Sequence, residues 1–247
     1  LRIKDAASIV LVDRRDPASP RLLMGRRSAK HQFMPNVYVF PGGRVDYGDR
    51  YAPFGEDYDA ATLDLLLQEM KGRPTPLRAR MLGLAAIRET FEEVGLMIGA
   101  KSPAIAGHRH PGWGKFGEAG LIPDLSRLTY IARAITPPGN NRRFDTRFFM
   151  ADVDRELERQ TACSSRELED VQWVAFDALE DIPTHFITRR ILLAAKAALQ
   201  NPEYGKAALA IPFYRAKPKA GGVVKVITYL RPGKPPMDGG ELILTKT

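Results

Sequence analysis

Three carboxylates share one turn and a half of a predicted helix: Glu89, Glu92 and Glu93, in the run Arg88-Glu89-Thr90-Phe91-Glu92-Glu93-Val94-Gly95-Leu96. At about 100° per residue they fall on one face. Leu84, Ile87, Phe91 and Val94 form an apolar stripe on the opposite face. Like charges at this spacing repel and weaken an isolated helix. A hard divalent cation such as Mg²⁺, which prefers oxygen ligands, would offset that repulsion. The alternative is a solvated acidic surface. Arg88 lies beside the carboxylates, and a Phe40-Pro41-Gly42-Gly43 turn precedes them in the chain.

The elements that must position these residues follow from pattern. Residues 6–12 form a β-branched apolar run closed by Asp13-Arg14-Arg15-Asp16-Pro17, a strand and turn, with residues 21–25 as the hairpin partner. Residues 37–40 predict a short strand stopped by Pro41-Gly42-Gly43, and 44–58 a loop. Helices are expected over 59–70, 76–94 and 188–199, the second opened by Pro76 and stopped by Gly95. Further strands are expected at 128–135, 146–153, 171–176, 223–230 and 241–244, whereas 99–126, rich in Gly and Pro, reads as irregular. The mixture predicts an α/β (α+β) fold, a sheet layered between helices around one core.

The acidic run resembles the signature of the Nudix hydrolases, G-x5-E-x7-R-E-U-x-E-E-x-G-U, with U a bulky aliphatic. The fixed residues of its second half stand at Arg88, Glu89, Glu92, Glu93 and Gly95, with Leu96 as the last aliphatic. Thr90 replaces the other aliphatic. Asp49 stands where the first Glu belongs, and 38 residues separate it from Arg88 where the signature has seven. An upstream pattern of the family's coenzyme A diphosphatases, L-L-T-x-R-[SA]-x3-R-x3-G-x3-F-P-G-G, is met at Arg27, Ser28 and 40–43, with Gly25, Gln32 and Asn36 departing from it. The long insertion, together with Arg143-Phe144-Asp145-Thr146-Arg147-Phe148-Phe149, is similar to the mammalian peroxisomal branch.

The resemblance implies an α/β/α sandwich with a mixed β-sheet, spanning 1–247 as a single domain, with an insertion over 50–80 and a C-terminal extension over 203–247. It implies a hydrolase of nucleoside-linked diphosphates that uses Mg²⁺ or Mn²⁺. The metal would be held by Glu89, Glu92, Glu93 and the Gly43 carbonyl, with Arg88 orienting the carboxylates. Arg27, Ser28, Arg44 and Arg147 are the expected substrate contacts, and Glu167 or Glu169 the expected general base. Coenzyme A or an acyl derivative is the first substrate. ADP-ribose, a dinucleotide or a nucleotide sugar keeps the chemistry with another ligand. A non-catalytic nucleotide sensor or nucleic-acid-binding module on the same fold is the reading of another class. The insertion, joining the glycine loop to the acidic helix, is expected at the rim of the substrate cleft, and the family allows a homodimer.

Composition agrees with a small polyanionic partner. The 247 residues carry 37 Lys+Arg against 29 Asp+Glu, a net charge of +8, which attracts polyanions. The basic residues come as scattered pairs (Arg26-Arg27, Arg142-Arg143, Arg189-Arg190), so nucleic acid is not the first expectation. One cysteine, Cys163, rules out an internal disulfide framework and a multi-cysteine zinc site, and fits a reducing, cytoplasmic setting. No apolar run reaches transmembrane length, so no membrane association is expected. His108 and His110 are the histidine pair at close spacing, and Trp113, Phe116 and Phe144 are aromatic candidates for stacking or core packing.

Overall fold

The structure is a computed structural model that describes residues 2–29, 35–102, 111–201, 210–219 and 222–242. Gln32, His31, His108 and His110 lie outside the described residues.

The strands in chain order are β1 (Lys4–Asp13), β2 (Arg21–Arg27), β3 (Tyr38–Val39), β4 (Gly42–Arg44), β5 (Gly99–Lys101), β6 (Leu121–Pro123), β7 (Thr129–Ile135), β8 (Phe144–Asp152), β9 (Leu168–Ala175), β10 (Ile211–Lys219), β11 (Gly222–Arg231) and β12 (Lys234–Glu241). The helices are α1 (Ala60–Leu67), α2 (Pro76–Val94), α3 (Pro111–Glu118), α4 (Arg155–Glu158) and α5 (Phe186–Gln200).

The large sheet is mixed, in the order β12-β11-β10-β7-β8-β1-β2-β3, with β4 also paired to β1 and β9 to β2. β1 runs parallel to β8 from Lys4↔Phe144 to Val12↔Asp152. Both its faces are covered, which is why its sequence is a continuous apolar run instead of an alternating one. One sheet face packs on α2 through Ile9, Leu11, Leu84 and Ile87; the other packs on α5 through Val10, Val12, Ile191 and Ala195. The expected sandwich is therefore present, with α2 and α5 as its outer layers.

The partners of β1 change along its length. Val12 and Asp13 pair with β2, whereas Ala6 to Ser8 pair with β4 at Arg44, Gly43 and Gly42. The residues read as turn and loop after Phe40 thus form a short strand, because β1 offers a free ladder there. Helix α2 begins at the N-cap Thr75, whose side chain accepts from the Arg78 amide, with Pro76 in its first turn. It ends at Gly95, whose φ of 77° is the left-handed cap that glycine takes without strain. Thr90 is buried, and its Oγ1 donates to the Ala86 carbonyl at 2.8 Å, so the hydroxyl is satisfied within the helix.

Several expectations need correction. Among the described residues of 99–126 the chain is not irregular: β5 pairs with β6, and α3 buries Trp113 and Phe116 in the core, which makes these two aromatics packing residues. A strand at 211–219 was not anticipated because Pro212 and Pro218 interrupt its pattern. β10 nevertheless pairs with β11 over its whole length and touches β7 only at Phe213 and Tyr214, leaving room for prolines on its open side. The described part of the C-terminal extension, β10-β11-β12, thus continues the main sheet.

The insertion does not reach the cleft rim. α1 packs on the α2 side of the sheet, and Tyr58, just before it, is buried against α2 at Gly83, where a methyl group would overlap the Tyr58 hydroxyl. Its C-terminal end is tied to the far strands. Gln68 Nε2 donates to the Arg231 carbonyl at 2.7 Å, the Gly233 amide donates to Asp64 at 2.9 Å, and Arg215 pairs with Glu69 at 2.7 Å. The fully buried Arg133 donates to the Gln68 and Glu69 carbonyls and pairs with Asp145 at 2.7 Å. Among the described residues, no helix is long and apolar enough to cross a membrane.

Candidate active site

A cavity of about 540 Å³ opens on the sheet face covered by α5. Its near end is lined by Gly42, Gly43, Arg44, Glu89, Glu93, Arg27 and Glu167. The sequence places these residues on four separate segments, and the β1–β4 ladder is what brings the two glycines over the acidic face of α2. A methyl group added at Gly43 would fall inside the Glu89 carboxylate, so only glycine permits this approach. The Gly42 amide donates to Glu93 Oε2 at 2.7 Å.

Arg88 organises the cluster from beneath. Its side chain is buried and bidentate to Asp49, Nε to Oδ1 at 2.8 Å and Nη2 to Oδ2 at 3.2 Å. Nη1 donates to Glu89 Oε1 at 2.9 Å and to Glu92 Oε2 at 3.1 Å, while Nη2 also reaches the Arg44 carbonyl at 3.1 Å. Burial opposes the guanidinium charge, but Asp49 and Glu89 outweigh it and push its pKa up. Asp49 is fully buried, and its Oδ2 also accepts from the Asp46 amide. The residue at the signature's first acidic position therefore meets the signature arginine in space, although the insertion separates them in sequence. The loop around it is built by a capping box between Asp46 and Asp49.

The carboxylates differ in environment. Burial pushes Glu93 up to about 8, only partly countered by the Gly42 amide, and the neighbouring Glu89 charge adds to the rise. Glu89 is also raised by burial, with Arg88 opposing. Glu92 does not line the cavity; its half-exposed side chain is turned to Arg88. Among the described residues, no three His, Cys, Asp or Glu side chains converge as they stand around one point suited to a metal ion. The expected triad is thus a pair at the cavity, Glu89 and Glu93, with Glu92 one step removed by its ion pair.

The other expected residues divide in the same way. Arg27 and Arg44 line the cavity; burial pulls the Arg27 pKa down, and the Glu93 and Glu167 charges oppose that. Glu167 lines the cavity, whereas Glu169 does not and pairs with Arg26 at 3.4 Å. Ser28 is buried off the cavity, its amide donating to the Glu167 carbonyl at 3.2 Å. Arg147 is corrected outright: strand alternation places Phe144, Thr146 and Phe148 on the cavity face and Arg147 on the opposite one. There its fully buried side chain pairs with Asp145 at 3.0 Å and Asp5 at 3.4 Å.

Two departures from the upstream pattern have local reasons. Asn36 has a φ of 60°, the left-handed backbone natural to the pattern's glycine and tolerated by asparagine. Gly25 lies against Leu168, where a methyl group would come within 3.0 Å of Leu168 Cβ. The sequence reading missed His185, Phe186, Tyr214 and Lys225, which line the far end of the cavity. No motif marks them, because they come from α5, β10 and β11.

No family model matches the chain. A putative nudix hydrolase 7 of Caenorhabditis elegans is 28% identical, over 69% of this chain and 51% of its own length. Acyl-coenzyme A diphosphatases NUDT19 of Gallus gallus and Homo sapiens are each 26% identical, over 61% and 60% of this chain and 55% and 56% of their own. The chain therefore spans about half the length of the curated relatives it matches. The crystal structure of a NUDIX hydrolase from Alicyclobacillus acidocaldarius superposes with a TM-score of 0.60 at 24% identity, covering 81% of this chain and 96% of that one. With its signature assembled around Arg88, the chain is similar in sequence to these Nudix hydrolases and shares the fold of the solved one.

Proposed function

We propose that the chain is a metal-dependent hydrolase of the diphosphate linkage in a nucleoside diphosphate derivative, with coenzyme A or an acyl-coenzyme A as substrate. The observation that carries this is the reunited Arg88–Asp49 pair, which holds Glu89 beside Glu93 at one end of a cavity supplied with Arg27 and Arg44. The coenzyme A assignment is supported by the acyl-coenzyme A diphosphatases among the relatives and by Asn36, which keeps the backbone of the upstream pattern.

The donor set fits Mg²⁺ or Mn²⁺: two carboxylates at the cavity end, all-oxygen, crossed at close range by the Gly43 backbone. Glu89 and Glu93 would hold the ion, with Gly43 and Glu92 completing the set. Bound there, the metal would neutralise diphosphate oxygens and acidify a water. Arg27 and Arg44 bind and orient the phosphates, so positioning supplies much of the rate. Glu167 faces the same end of the cavity and takes the proton from the attacking water on its carboxylate; Glu169, engaged by Arg26, does not. Arg88 is a positioning residue that holds Glu89 by charge-assisted hydrogen bonds.

The test is product analysis with Mg²⁺ or Mn²⁺, offering coenzyme A and ADP-ribose side by side. Release of phosphopantetheine supports the assignment. Cleavage of ADP-ribose alone would keep the chemistry and replace the substrate, and turnover of neither would leave a binding module as the correct reading.

A further inference from the structure

The cavity continues well past its carboxylates, and its far end is built by elements outside the signature. From the glycine strand to Lys225 the strand order is β4-β1-β8-β7-β10-β11. At about 4.8 Å per strand, five steps carry the cavity roughly 24 Å across the sheet. Its three lining carboxylates, Glu89, Glu93 and Glu167, all belong to the near end. The far end is apolar and aromatic, with Phe186, Ile187, Tyr214 and Leu242 surrounding one ammonium group.

That group is Lys225 on β11. It lies on the same strand face as Ile227, which packs with the α5 layer, and its Nζ is 5.6 Å from the Phe186 ring centroid. The Arg190 guanidinium is 5.2 Å from the same ring. Neither cation has a carboxylate within ion-pair reach among the described residues, whereas Arg215 nearby is already held by Glu69. His185 also lines the cavity, and burial, then the Lys225 charge, hold it below the usual imidazole range. A half-buried charge facing apolar walls without a counter-ion is costly, and a ligand anion would offset that cost. The wall carrying it is fixed, since α1 clamps the β11–β12 turn through Gln68 and Asp64.

We propose that Lys225 is the counter-ion for an anionic group on the part of the substrate remote from the scissile diphosphate, seated between Phe186 and Tyr214. The inference rests on the diphosphatase reading and deepens it: the substrate is elongated and carries a second anion. In a coenzyme A ester that anion has two sources, the ribose phosphomonoester and the terminal carboxylate of a dicarboxylic acyl group.

Two substrate pairs separate these sources with Mg²⁺ present: coenzyme A against its 3′-dephospho form, and succinyl- against butyryl-coenzyme A. The wild-type protein should prefer the anion-bearing member of one pair by at least about tenfold in kcat/KM, expressed in KM. Lys225→Met should erase that preference while changing kcat/KM for the member that lacks this second anion by no more than about twofold, and Lys225→Arg should keep it. Should the Met variant melt early, Lys225→Gln serves for the same comparison. Turnover without a preference in either pair, or a preference that survives loss of the lysine charge, would overturn the inference and leave the hydrolase reading standing. Turnover of none of the four would overturn the inference together with the coenzyme A assignment on which it rests.

Discussion

Glu93 carries the clearest conflict between stability and chemistry. Its folded-state pKa, raised by burial to about 8 against an ordinary 4.5, means that the unfolded chain releases this proton before the folded one does. Between those two values the unfolded state binds fewer protons, so stability falls as pH rises through the window. Glu93→Gln should therefore raise the melting temperature of the metal-free protein at pH 8 and leave it nearly unchanged at pH 4. The same substitution should lower turnover by at least about a hundredfold, measured with the fold intact by circular dichroism. Unchanged turnover would remove Glu93 from the proposed metal set. Asp49→Asn tests the other side of the cluster. It strips the buried Arg88 of its main counter-charge and should destabilise the protein by about 3 kcal/mol in denaturant titrations. At this scale the acidic residues were legible because a helix fixes which positions share a face. Asp49 was legible only as the residue at the signature's first acidic position; its ion pair with Arg88 was not, because it depends on a contact across 39 positions of sequence separation.

Between α1 and the C-terminal strands, the additions to the core support one another. Gln68 makes two hydrogen bonds with the Arg231 backbone, at 2.7 and 3.3 Å. Gln68→Ala should cost about 1–2 kcal/mol in urea unfolding and loosen β11 in hydrogen exchange. Gly83→Ala would drive a methyl group into the Tyr58 hydroxyl, forcing α2 and the insertion apart. An overpacking loss of about 1–3 kcal/mol is expected by thermal denaturation. If Gly83→Ala were neutral, the insertion would be loosely attached and its packing role wrong. Strands β1, β7 and β8 and helices α1, α2 and α5 could be read in the sequence because their apolar patterns are strong. β4 and β10 could not, since one contains two glycines and the other two prolines, and each is made a strand by the neighbour it pairs with.

Across the whole molecule, charge is sorted along the cavity: carboxylates cluster at the near end, and Arg142 and Lys225 line the rest. With a net charge of +8, the protein should gather an anionic substrate by long-range attraction. Raising ionic strength should accordingly raise KM several-fold while leaving kcat nearly constant, since salt screens the approach more than the enclosed site. A kcat that fell in parallel would place the salt effect on the chemistry. The sequence alone determined the acidic helix face and its cap at Gly95, because helix periodicity and backbone sterics are local. Only the tertiary structure decided that Arg147 lies behind the sheet, that Asp49 reaches Arg88, and that the insertion braces the far strands. Those outcomes depend on strand register and on which distant segments pack together, and no local pattern encodes either.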